Sequence, residues 1–335
     1  MVEDKNQTHE LSSHEAELYD RQIRLWGLES QKRLRTAKVL LIGLNGFAAE
    51  IAKNIILAGV NAVTFLDHRN VTVEDSCSQF LASKESLGKN RAEASLERAQ
   101  SLNPLVCLKA DTSNVDDKTD EYFSNFDLVC ATQCTISQLK KINLACRKHG
   151  VKFFAGDVWG SIGYTFADLM THEYAEDVIQ TKKMPVIDND PVPKEKFVNI
   201  TVTEKHVDTF VPFESVLNVT KSSIPKESEI YYMMLIMLNY REKYGNDPLP
   251  SERDSENFKL EATAIIKKYD LEDKINHLVA GDVYAQISPI CAIVGGIMGQ
   301  EIIKTVSKKG APLNNLFLFN PDTLCGKILR LGDRS

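Results

Sequence analysis

The sequence predicts an α/β fold in which a doubly wound, mainly parallel sheet carries helices on both faces. Short apolar runs that end at glycine or a turn residue alternate with segments whose apolar residues recur at helical spacing. A glycine-containing turn joins the first apolar run to the first such helix. The chain has 335 residues, 43% of them hydrophobic, which is enough for one large or two ordinary domains with a buried core.

The first strand, turn and helix are the clearest unit. Residues 39–43 are an apolar run that stops at glycine, and apolar residues then recur at helical spacing over 47–56 with polar residues opposite. Gly59 lies where a helix C-cap is expected, and residues 62–67 have the composition of a second strand.

The same alternation continues as far as residue 155. It predicts a helix over 90–102 with Pro104 just beyond its end, and a helix over 136–149 closed by Gly150. Further strands are expected at 105–109, 127–130 and 151–155.

Beyond residue 160 the pattern changes. Residues 161–174 alternate apolar and polar side chains, as a half-exposed strand does, and residues 181–196 combine charge with three prolines, which indicates a linker or a mobile loop. Helices are expected over 230–244 and 254–269, because proline and glycine interrupt the sequence between them.

The last part of the chain predicts a return to the first sheet. A strongly apolar helix over 289–306 is followed by the short strands NLFLF and KILRL, whose hydrophobicity suits a buried sheet. We therefore expect a discontinuous main domain. The predicted division is a flexible N-terminus over 1–17, a main domain over 18–179 and 282–332, and a smaller inserted mixed subdomain over 180–281.

Composition excludes several classes of protein. A net charge of -6 argues against a general binder of nucleic acid or of anionic membranes, since such surfaces select an excess of Lys and Arg. The polar N-terminus is no secretory signal, and the apolar stretches over 231–238 and 290–298 are too short to cross a bilayer. Seven cysteines at irregular spacing favour reduced thiols. We expect a soluble, intracellular protein without nucleic-acid or membrane partners.

The glycine turn is degenerate. A nucleotide turn follows the pattern G-x-G-x-x-G, so that backbone N–H groups can approach phosphates. Gly43 matches the first position, but Asn45 and Ala48 occupy the other two, and Gly46 is an additional glycine. Alanine is an accepted variant in the third position, whereas a side chain at Asn45 obstructs the phosphate. The turn predicts the fold but no bound nucleotide.

Asp67 allows two interpretations. It ends the second strand about 20 residues after the turn, where an acid can bind a ribose hydroxyl. A carboxylate that caps a loop would occupy the same place. The generic hypothesis from this region alone is an NAD-dependent dehydrogenase. Cys130 and Cys134 lack a second cysteine pair or a nearby histidine, so we predict buried thiols and no metal site.

Four longer segments carry a more specific signal. They are YDRQIRLWG (19–27), NRAEASLERAQSLNP (90–104), KFFAGDVWGSIGYTF (152–166) and PICAIVGGIMGQEIIK (289–304). Together they resemble the activating enzymes of ubiquitin-like proteins, in the branch that activates SUMO, with a ThiF/MoeB-like, Rossmann-like adenylation fold. In that family two homologous modules face each other, and only one of them binds ATP.

The resemblance implies that this chain is the inactive module. The active module has a Ser-Asn-Leu-Asn-Arg-Gln-Phe run, of which residues 75–81 keep only Gln79 and Phe80. The lysine of the active module corresponds to Arg91, and residues 131–137 contain no acid. ATP and Mg²⁺ need such charges, so they are expected on a larger catalytic partner subunit rather than on this chain.

The resemblance also locates the remaining chemistry. The family forms a thioester on a cysteine after the fifth strand, but this sequence has no cysteine between Arg147 and Ile290. The thioester is therefore expected on the partner. Arg21 aligns with the arginine that the inactive module extends to the triphosphate of ATP on its partner. Without the resemblance, Arg21 and Arg24 beside Asp20 would form an ordinary solvated charged face.

The implied function is support of SUMO adenylation and transfer as one half of a heterodimer, in the nucleus and also in the cytoplasm. The corresponding subunit of the NEDD8-activating enzyme is an alternative, although the family version has a larger middle insertion. A self-sufficient bacterial-type adenylyltransferase would need its own ATP site and commonly two CxxC zinc pairs, which this sequence lacks.

Overall fold

The computed structural model describes residues 11–183, 197–226, 228–249, 256–271, 283–321 and 323–332. Ten strands and eleven α-helices lie in this part of the chain. In chain order they are α1 (Ser13–Leu18), α2 (Asp20–Trp26), α3 (Leu28–Leu34), β1 (Lys38–Ile42), α4 (Gly46–Leu57), β2 (Ala62–Leu66), α5 (Arg91–Leu102), β3 (Cys107–Asp111), α6 (Asp120–Phe123), β4 (Leu128–Thr132), α7 (Ile136–His149), β5 (Lys152–Trp159), β6 (Ile162–Asp168), β7 (Thr171–Lys183), β8 (Phe197–Thr209), α8 (Phe213–Leu217), α9 (Glu229–Tyr244), α10 (Glu256–Tyr269), α11 (Ser288–Ser307), β9 (Leu316–Asn320) and β10 (Cys325–Leu329).

An eight-stranded sheet forms the centre of the fold, in the order β10-β9-β6-β5-β4-β1-β2-β3. The strands from β3 to β5 run parallel, and β6, β9 and β10 extend the sheet antiparallel at one edge. This confirms the predicted doubly wound, mainly parallel α/β fold. It also confirms that the two short C-terminal strands return to the first sheet.

Helices cover both faces of the sheet, which is why its strands are continuous apolar runs. Val39 and Leu41 of β1 belong to a buried cluster shared with α4 and α11, whereas Leu40 and Ile42 belong to a cluster shared with α7 and α9. Local signals set the helix ends. For example, Thr135 and Gln138 form a capping box at the start of α7.

Strand β6 differs from its prediction. The alternation over 161–174 predicted a half-exposed strand, but every residue of β6 is buried. The reason is that both of its faces are covered. Phe166 packs against Phe213, with ring centroids 5.1 Å apart, and Gly163 lies against Val294 of α11.

Strands β7 and β8 form a separate two-stranded antiparallel ribbon. Residues 181–183 belong to β7, so this part of the predicted linker is strand, and residues 184–196 lie outside the described residues. Met237 of α9 and Phe258 of α10 pack in the same buried cluster as Phe153 of the main sheet. The division of the chain into a main domain and an inserted subdomain stays a prediction.

Helix α11 is the one described helix that is long and apolar enough to cross a membrane by length and composition. Half of it is buried inside the fold. Cβ atoms added at Gly295 and Gly299 would lie only 2.7 Å from the Cβ of Glu50 and 2.8 Å from the Cβ of Asn54, both in α4. The glycines therefore let α11 pack directly on α4 as a core helix.

Candidate functional site

The glycine turn lies at the switch point of the sheet. The turn follows β1, and the chain order of the strands reverses between β1 and its neighbour β4. Doubly wound folds bind ligands at this place, outside the carboxyl ends of the strands. Gly43, Asn45 and Gly46 of the turn therefore lie where a doubly wound fold would hold a nucleotide.

The backbone of the turn is bent as in a phosphate loop. Side chains of the same protein, however, already accept hydrogen bonds from N–H groups of the turn. Gly43 has a φ of +79°, which only glycine adopts easily, and a Cβ there would lie 2.7 Å from the carbonyl oxygen of Thr132. Asn45 is buried, and its Oδ1 accepts a hydrogen bond of 2.9 Å from the N–H of Ala48. Asn45 thus caps α4 and satisfies an amide that a phosphate could otherwise bind.

The segment 75–81 covers the turn from outside. A Cβ at Gly46 would collide with the side chain of Ser78, so glycine is required there to admit this segment. The amide nitrogen of the Gln79 side chain donates to the carbonyl oxygen of Leu44 at 2.7 Å. Ser78 and Gln79 of this segment therefore close the turn.

Asp67 is part of the same closure. Its Oδ2 accepts a hydrogen bond of 2.8 Å from the N–H of Leu44, and its Oδ1 accepts one of 2.9 Å from the N–H of Arg69. Only 3% of the residue surface is exposed. Both carboxylate oxygens thus hold loop backbone, which is the geometry of the loop-capping interpretation rather than that of a free ribose ligand.

Arg91 connects three sides of the closed turn. The buried guanidinium lies 3.3 Å from Asp67 and 3.2 Å from Asp75, and it donates to the side-chain oxygen of Gln133 at 2.9 Å. Two carboxylates of the same chain therefore neutralise the cation that stands in the lysine position of active modules. A triphosphate would have to displace both of them.

The space left at the switch point is very small. The cavity bounded by Gly43, Asp67, Arg69 and Gln133 has a volume of about 10 Å³. This holds about one water molecule, whereas pockets for organic ligands usually measure roughly 300–1,000 Å³. In this conformation the residues do not fit ATP.

A buried ionic cluster of Asp157, Arg241 and Asp247 contacts the segment after β4 that borders the turn. The sequence did not reveal this cluster. The N–H of Gln133 donates to Asp157 at 3.0 Å, and Asp157 accepts a hydrogen bond of 2.7 Å from Arg241 of α9. Arg241 also pairs with Asp247 at 2.7 Å and lies over the ring of Trp159. The sequence offered no clear signal, because Arg241 is followed by Glu242 and Lys243 at the polar end of the helix, and its carboxylate partners lie elsewhere in the chain.

The charges on Arg241 and its partners are mutually dependent. Burial opposes ionisation of the guanidinium, but the two facing carboxylates outweigh that effect and raise the pKa of Arg241. Trp159 completes the cluster by donating its indole N–H to Asp247 at 3.1 Å. The sequence left open whether Trp159 was a core or an interface residue, and the structure buries it.

Helix α2 presents Arg21 to solvent. Arg21 is exposed, and its side chain has no hydrogen bond or ion pair with the residues that the structure describes. Arg24, one turn later, pairs with Asp20 at 3.0 Å. Of the two arginines, only Arg24 is therefore paired with another described residue.

Side-chain hydrogen bonds fix α2 to the C-terminal end of α4. Trp26 donates its indole N–H to Gln31 at 3.1 Å, and the fully buried Gln31 donates to the carbonyl of Ala58 at 3.0 Å. At the other end of α2, the Tyr19 ring lies against Gly59, where a Cβ would collide with it. The position of Arg21 is thus set by α4, the helix that begins at the closed turn.

The surface around Arg21 combines charged side chains with exposed leucines. Leu25 is 77% exposed, and Leu28 and Leu57 are each 44% exposed. Gln22 donates to the carbonyl of Leu57 at 3.1 Å, which joins α2 and the end of α4 into one surface. Exposed leucines grouped on one surface are typical of a surface that contacts another protein.

The cysteines divide into two groups. Cys130, Cys134, Cys146 and Cys291 are buried, and burial raises the pKa of the Cys134 and Cys291 thiols to about 12. Cys77, Cys107 and Cys325 are exposed. No group of three metal-binding side chains occurs within the described part of the chain.

We expect an alkylating reagent to modify only the three exposed cysteines of the native chain at pH 8, because the buried thiols are neither accessible nor ionised. Mass spectrometry of peptides after iodoacetamide treatment measures this, with the urea-unfolded chain as the control in which all seven cysteines react. Rapid modification of Cys130 or Cys134 in the native chain would contradict the buried placement.

Known proteins resemble the chain over nearly its whole length. SUMO-activating enzyme subunit 1 of Xenopus laevis is 43% identical over 337 residues, covering 97% of this chain and 98% of that protein. The human protein of the same name is 41% identical over 338 residues, with 96% of each chain covered. The protein from Danio rerio is 40% identical over 323 residues, covering 92% of this chain and 93% of that protein.

Solved structures share the fold at much lower identity. A crystal structure of selenomethionine PaaA has a TM-score of 0.57 at 16% identity, covering 95% of this chain and 83% of that chain. A crystal structure of E. coli MccB with succinimide has a TM-score of 0.55 at 12% identity, covering 94% and 72%. Residues 19–333 match the ThiF family. Because this match and the identities to the curated relatives extend over almost the entire sequence, the chain belongs to the ThiF family.

Proposed function

We propose that this chain is the regulatory, non-thioester subunit of a heterodimeric SUMO-activating enzyme. The relatives named SUMO-activating enzyme subunit 1 support the proposal, since the first of them matches 97% of the chain, and the word subunit implies a partner. These relatives do not favour the NEDD8, bacterial adenylyltransferase or dehydrogenase alternatives. The nucleus is the proposed location, with the cytoplasm as a second one.

In the proposed reaction, ATP and Mg²⁺ bind to the larger partner subunit. The C-terminal carboxylate of SUMO attacks the α-phosphate of ATP, which gives an acyl adenylate and releases pyrophosphate. The thiolate of a partner cysteine then attacks the acyl carbon of the adenylate, which forms a thioester and releases AMP. For this chain we propose two tasks, which are to complete the partner's adenylation site and to hold the heterodimer together.

The proposal rests on the difference between two cationic sites, which are the closed turn around Arg91 and the exposed Arg21. The turn at the switch point is sealed by Ser78 and by the ion pairs of Arg91, whereas Arg21 stands exposed without a partner among the described residues. A guanidinium can donate two parallel N–H groups to phosphate oxygens. A chain with a closed turn and a free arginine suits donation of that arginine to ATP held by another subunit.

The same surface suits the partner subunit. Leu25, Leu28 and Leu57 leave apolar area uncovered near Arg21. Obligate heterodimers commonly bury about 2,000 Å² or more of largely apolar surface. Binding of the partner at this surface would cover the leucines and bring Arg21 to the other subunit.

Reconstitution tests the proposed function. The chain, the large subunit of the SUMO-activating enzyme, SUMO and Mg²⁺-ATP are mixed, and the thioester is followed on a non-reducing gel. We expect a thioester on the large subunit only when both chains are present, and none on this chain. A thioester formed on this chain in the absence of the partner would refute the proposal.

Nucleotide binding gives a second test. We expect the isolated chain to bind ATP no more tightly than about 1 mM, because a nucleotide would have to break the ion pairs of Arg91 and displace Ser78. Isothermal titration with ATP and with NAD measures this, and the heterodimer is the positive control for ATP. Micromolar binding of either nucleotide to the isolated chain would favour a rival function.

A further inference from the structure

The segment that carries Arg21 is held to the fold by very few side chains. Helix α2 buries none of its seven residues, and over residues 12–26 only Glu15 and Tyr19 are buried. A helix of this length is marginal in water by itself, because most helical stability in proteins comes from the packing of an apolar face. The position of Arg21 therefore depends on contacts made by a small number of flanking residues.

Tyr19 is the nearer of these two buried residues to Arg21. It lies between α1 and α2, where it ends the first helix and precedes the second. Only 1% of Tyr19 is exposed, and its ring packs on the backbone of Gly59, where a Cβ would collide with it. A shift of this ring would therefore move the first turn of α2 together with Arg21.

Asn103, at the C-terminal end of α5, fixes the phenol of Tyr19. Its side-chain nitrogen donates to the phenol oxygen at 2.9 Å and to the carbonyl oxygen of Ile56 at 3.0 Å. Its Oδ1 accepts a hydrogen bond of 3.1 Å from the N–H of Leu105. Because these backbone partners allow only one orientation of the amide, the nitrogen must face Tyr19. Asn103 is buried, so water does not take its place.

Glu15, the other buried residue of the segment, is anchored at the same place by an ion pair. Its carboxylate accepts a hydrogen bond of 2.9 Å from the Nε of Arg35, and both side chains are buried. Arg35 also donates to the carbonyl oxygen of Val60 at 3.2 Å and to that of Leu105 at 3.5 Å. The backbone at 59–60 and the loop 103–105 therefore hold both buried side chains, one directly and the other through Arg35.

A purely structural role is the simpler explanation for these contacts, because buried hydrogen bonds contribute to the stability of most folds. Two observations favour a role in placing α2. The contacts converge on one short segment, and the remaining residues over 12–26 are not buried. The two explanations differ in whether the loss of a contact acts on the reaction through Arg21.

We propose that Tyr19 and Asn103 are positioning residues for Arg21, which set where its guanidinium meets the ATP of the partner subunit. The proposal rests on the proposed function, in which Arg21 contacts that nucleotide. Both residues are buried, so they act on the reaction only through α2. A misplacement of about 1 Å, caused by a substitution far from the chemistry, can lower a rate about 10²-fold.

ATP–pyrophosphate exchange by the reconstituted heterodimer tests this proposal. Asn103→Ala is expected to lower kcat/KM for ATP about tenfold or more, and Tyr19→Phe, which keeps the ring and removes only the phenol oxygen, about threefold. The matched controls are Asn143→Ala in α7 and Tyr231→Phe in α9, whose side chains are also buried and hydrogen-bonded but lie in other elements. Both controls should stay within about twofold of the parent.

A double-mutant cycle separates positioning from stability. In the Arg21→Ala background, Asn103→Ala should change the exchange rate less than about twofold, because no guanidinium is left to misplace. A purely structural effect would lower the rate by the same factor with or without Arg21, and that result would overturn the proposal. Circular dichroism and gel filtration check folding and assembly, and Tyr19→Phe supplies the same comparison if Asn103→Ala does not assemble.

The same measurements distinguish the positioning role from the proposed function. Normal exchange by Arg21→Ala would contradict both. Reduced exchange by Arg21→Ala, together with normal exchange by Tyr19→Phe and Asn103→Ala, would keep Arg21 in the reaction and refute the positioning role alone.

Discussion

Arg21→Ala is expected to abolish most SUMO adenylation by the heterodimer while leaving the heterodimer intact. Arginines that contact a transferring phosphate from another subunit contribute roughly 10³–10⁵ in rate, or about 4–7 kcal/mol. Pyrophosphate departure from ATP is only analogous to phosphoryl transfer, so we expect a loss of at least about 10³-fold. ATP–pyrophosphate exchange measures the step directly, before any thioester forms.

Two variants on the same helix make this result specific. Arg24→Ala removes another exposed arginine, whose partner is Asp20, and an exposed pair of this kind contributes only about 0.5 kcal/mol. Its exchange rate should stay within about twofold of the parent. Arg21→Lys keeps the charge without the planar pair of donors and should fall between the two. Gel filtration shows whether each variant assembles, and normal exchange by Arg21→Ala would exclude that residue from the mechanism.

Arg241→Leu is expected to destabilise the chain by about 3–5 kcal/mol. The change leaves Asp157, which is 1% exposed, as a buried carboxylate without its cation, and it removes the contact with Trp159. Asp247 is partly exposed, so water can replace its lost partner. The free energy of unfolding, obtained from urea denaturation followed by tryptophan fluorescence and circular dichroism, measures the effect.

The control for this prediction lies on the same helix. Lys243→Ala removes a surface cation paired with Glu261 at 2.7 Å and should leave the urea midpoint of unfolding nearly unchanged, because solvent screens exposed ion pairs. Combining Arg241→Leu with Asp157→Asn should recover part of the loss, because the uncompensated charge is removed as well. If Arg241→Leu unfolds at the same urea concentration as Lys243→Ala, the buried cluster does not stabilise the fold.

Periodicity was sufficient to predict the main sheet. The unit of β1, α4 and β2 follows from apolar runs and helical spacing, and the prediction held because helices cover both faces of the sheet. The same method misjudged β6. Alternation normally marks a strand with one wet face, but here small residues such as Gly163 let α11 cover the second face.

Sequence patterns also identified the important parts of the candidate site without their connections. The degenerate turn and Arg21 were visible as motifs, and Arg91 was visible as a substitution. Their environments were not, because the partners of Arg91 come from segments up to 42 residues away along the chain. The link between Arg241 and Asp157 spans 84 residues, a distance that no local pattern encodes.

The two ends of helix α4 contact different parts of the candidate site. It has 12 residues, so its ends are about 18 Å apart. At one end of α4, Asn45 and Ser78 close the glycine turn. At the other end, Ala58 and Gly59 contact the residues that hold α2, the helix that carries Arg21. Because a short helix moves as a rigid unit, opening the turn would also displace the guanidinium of Arg21 at the far end of α4. Helix α4 thus links the closed turn to the residues that position Arg21.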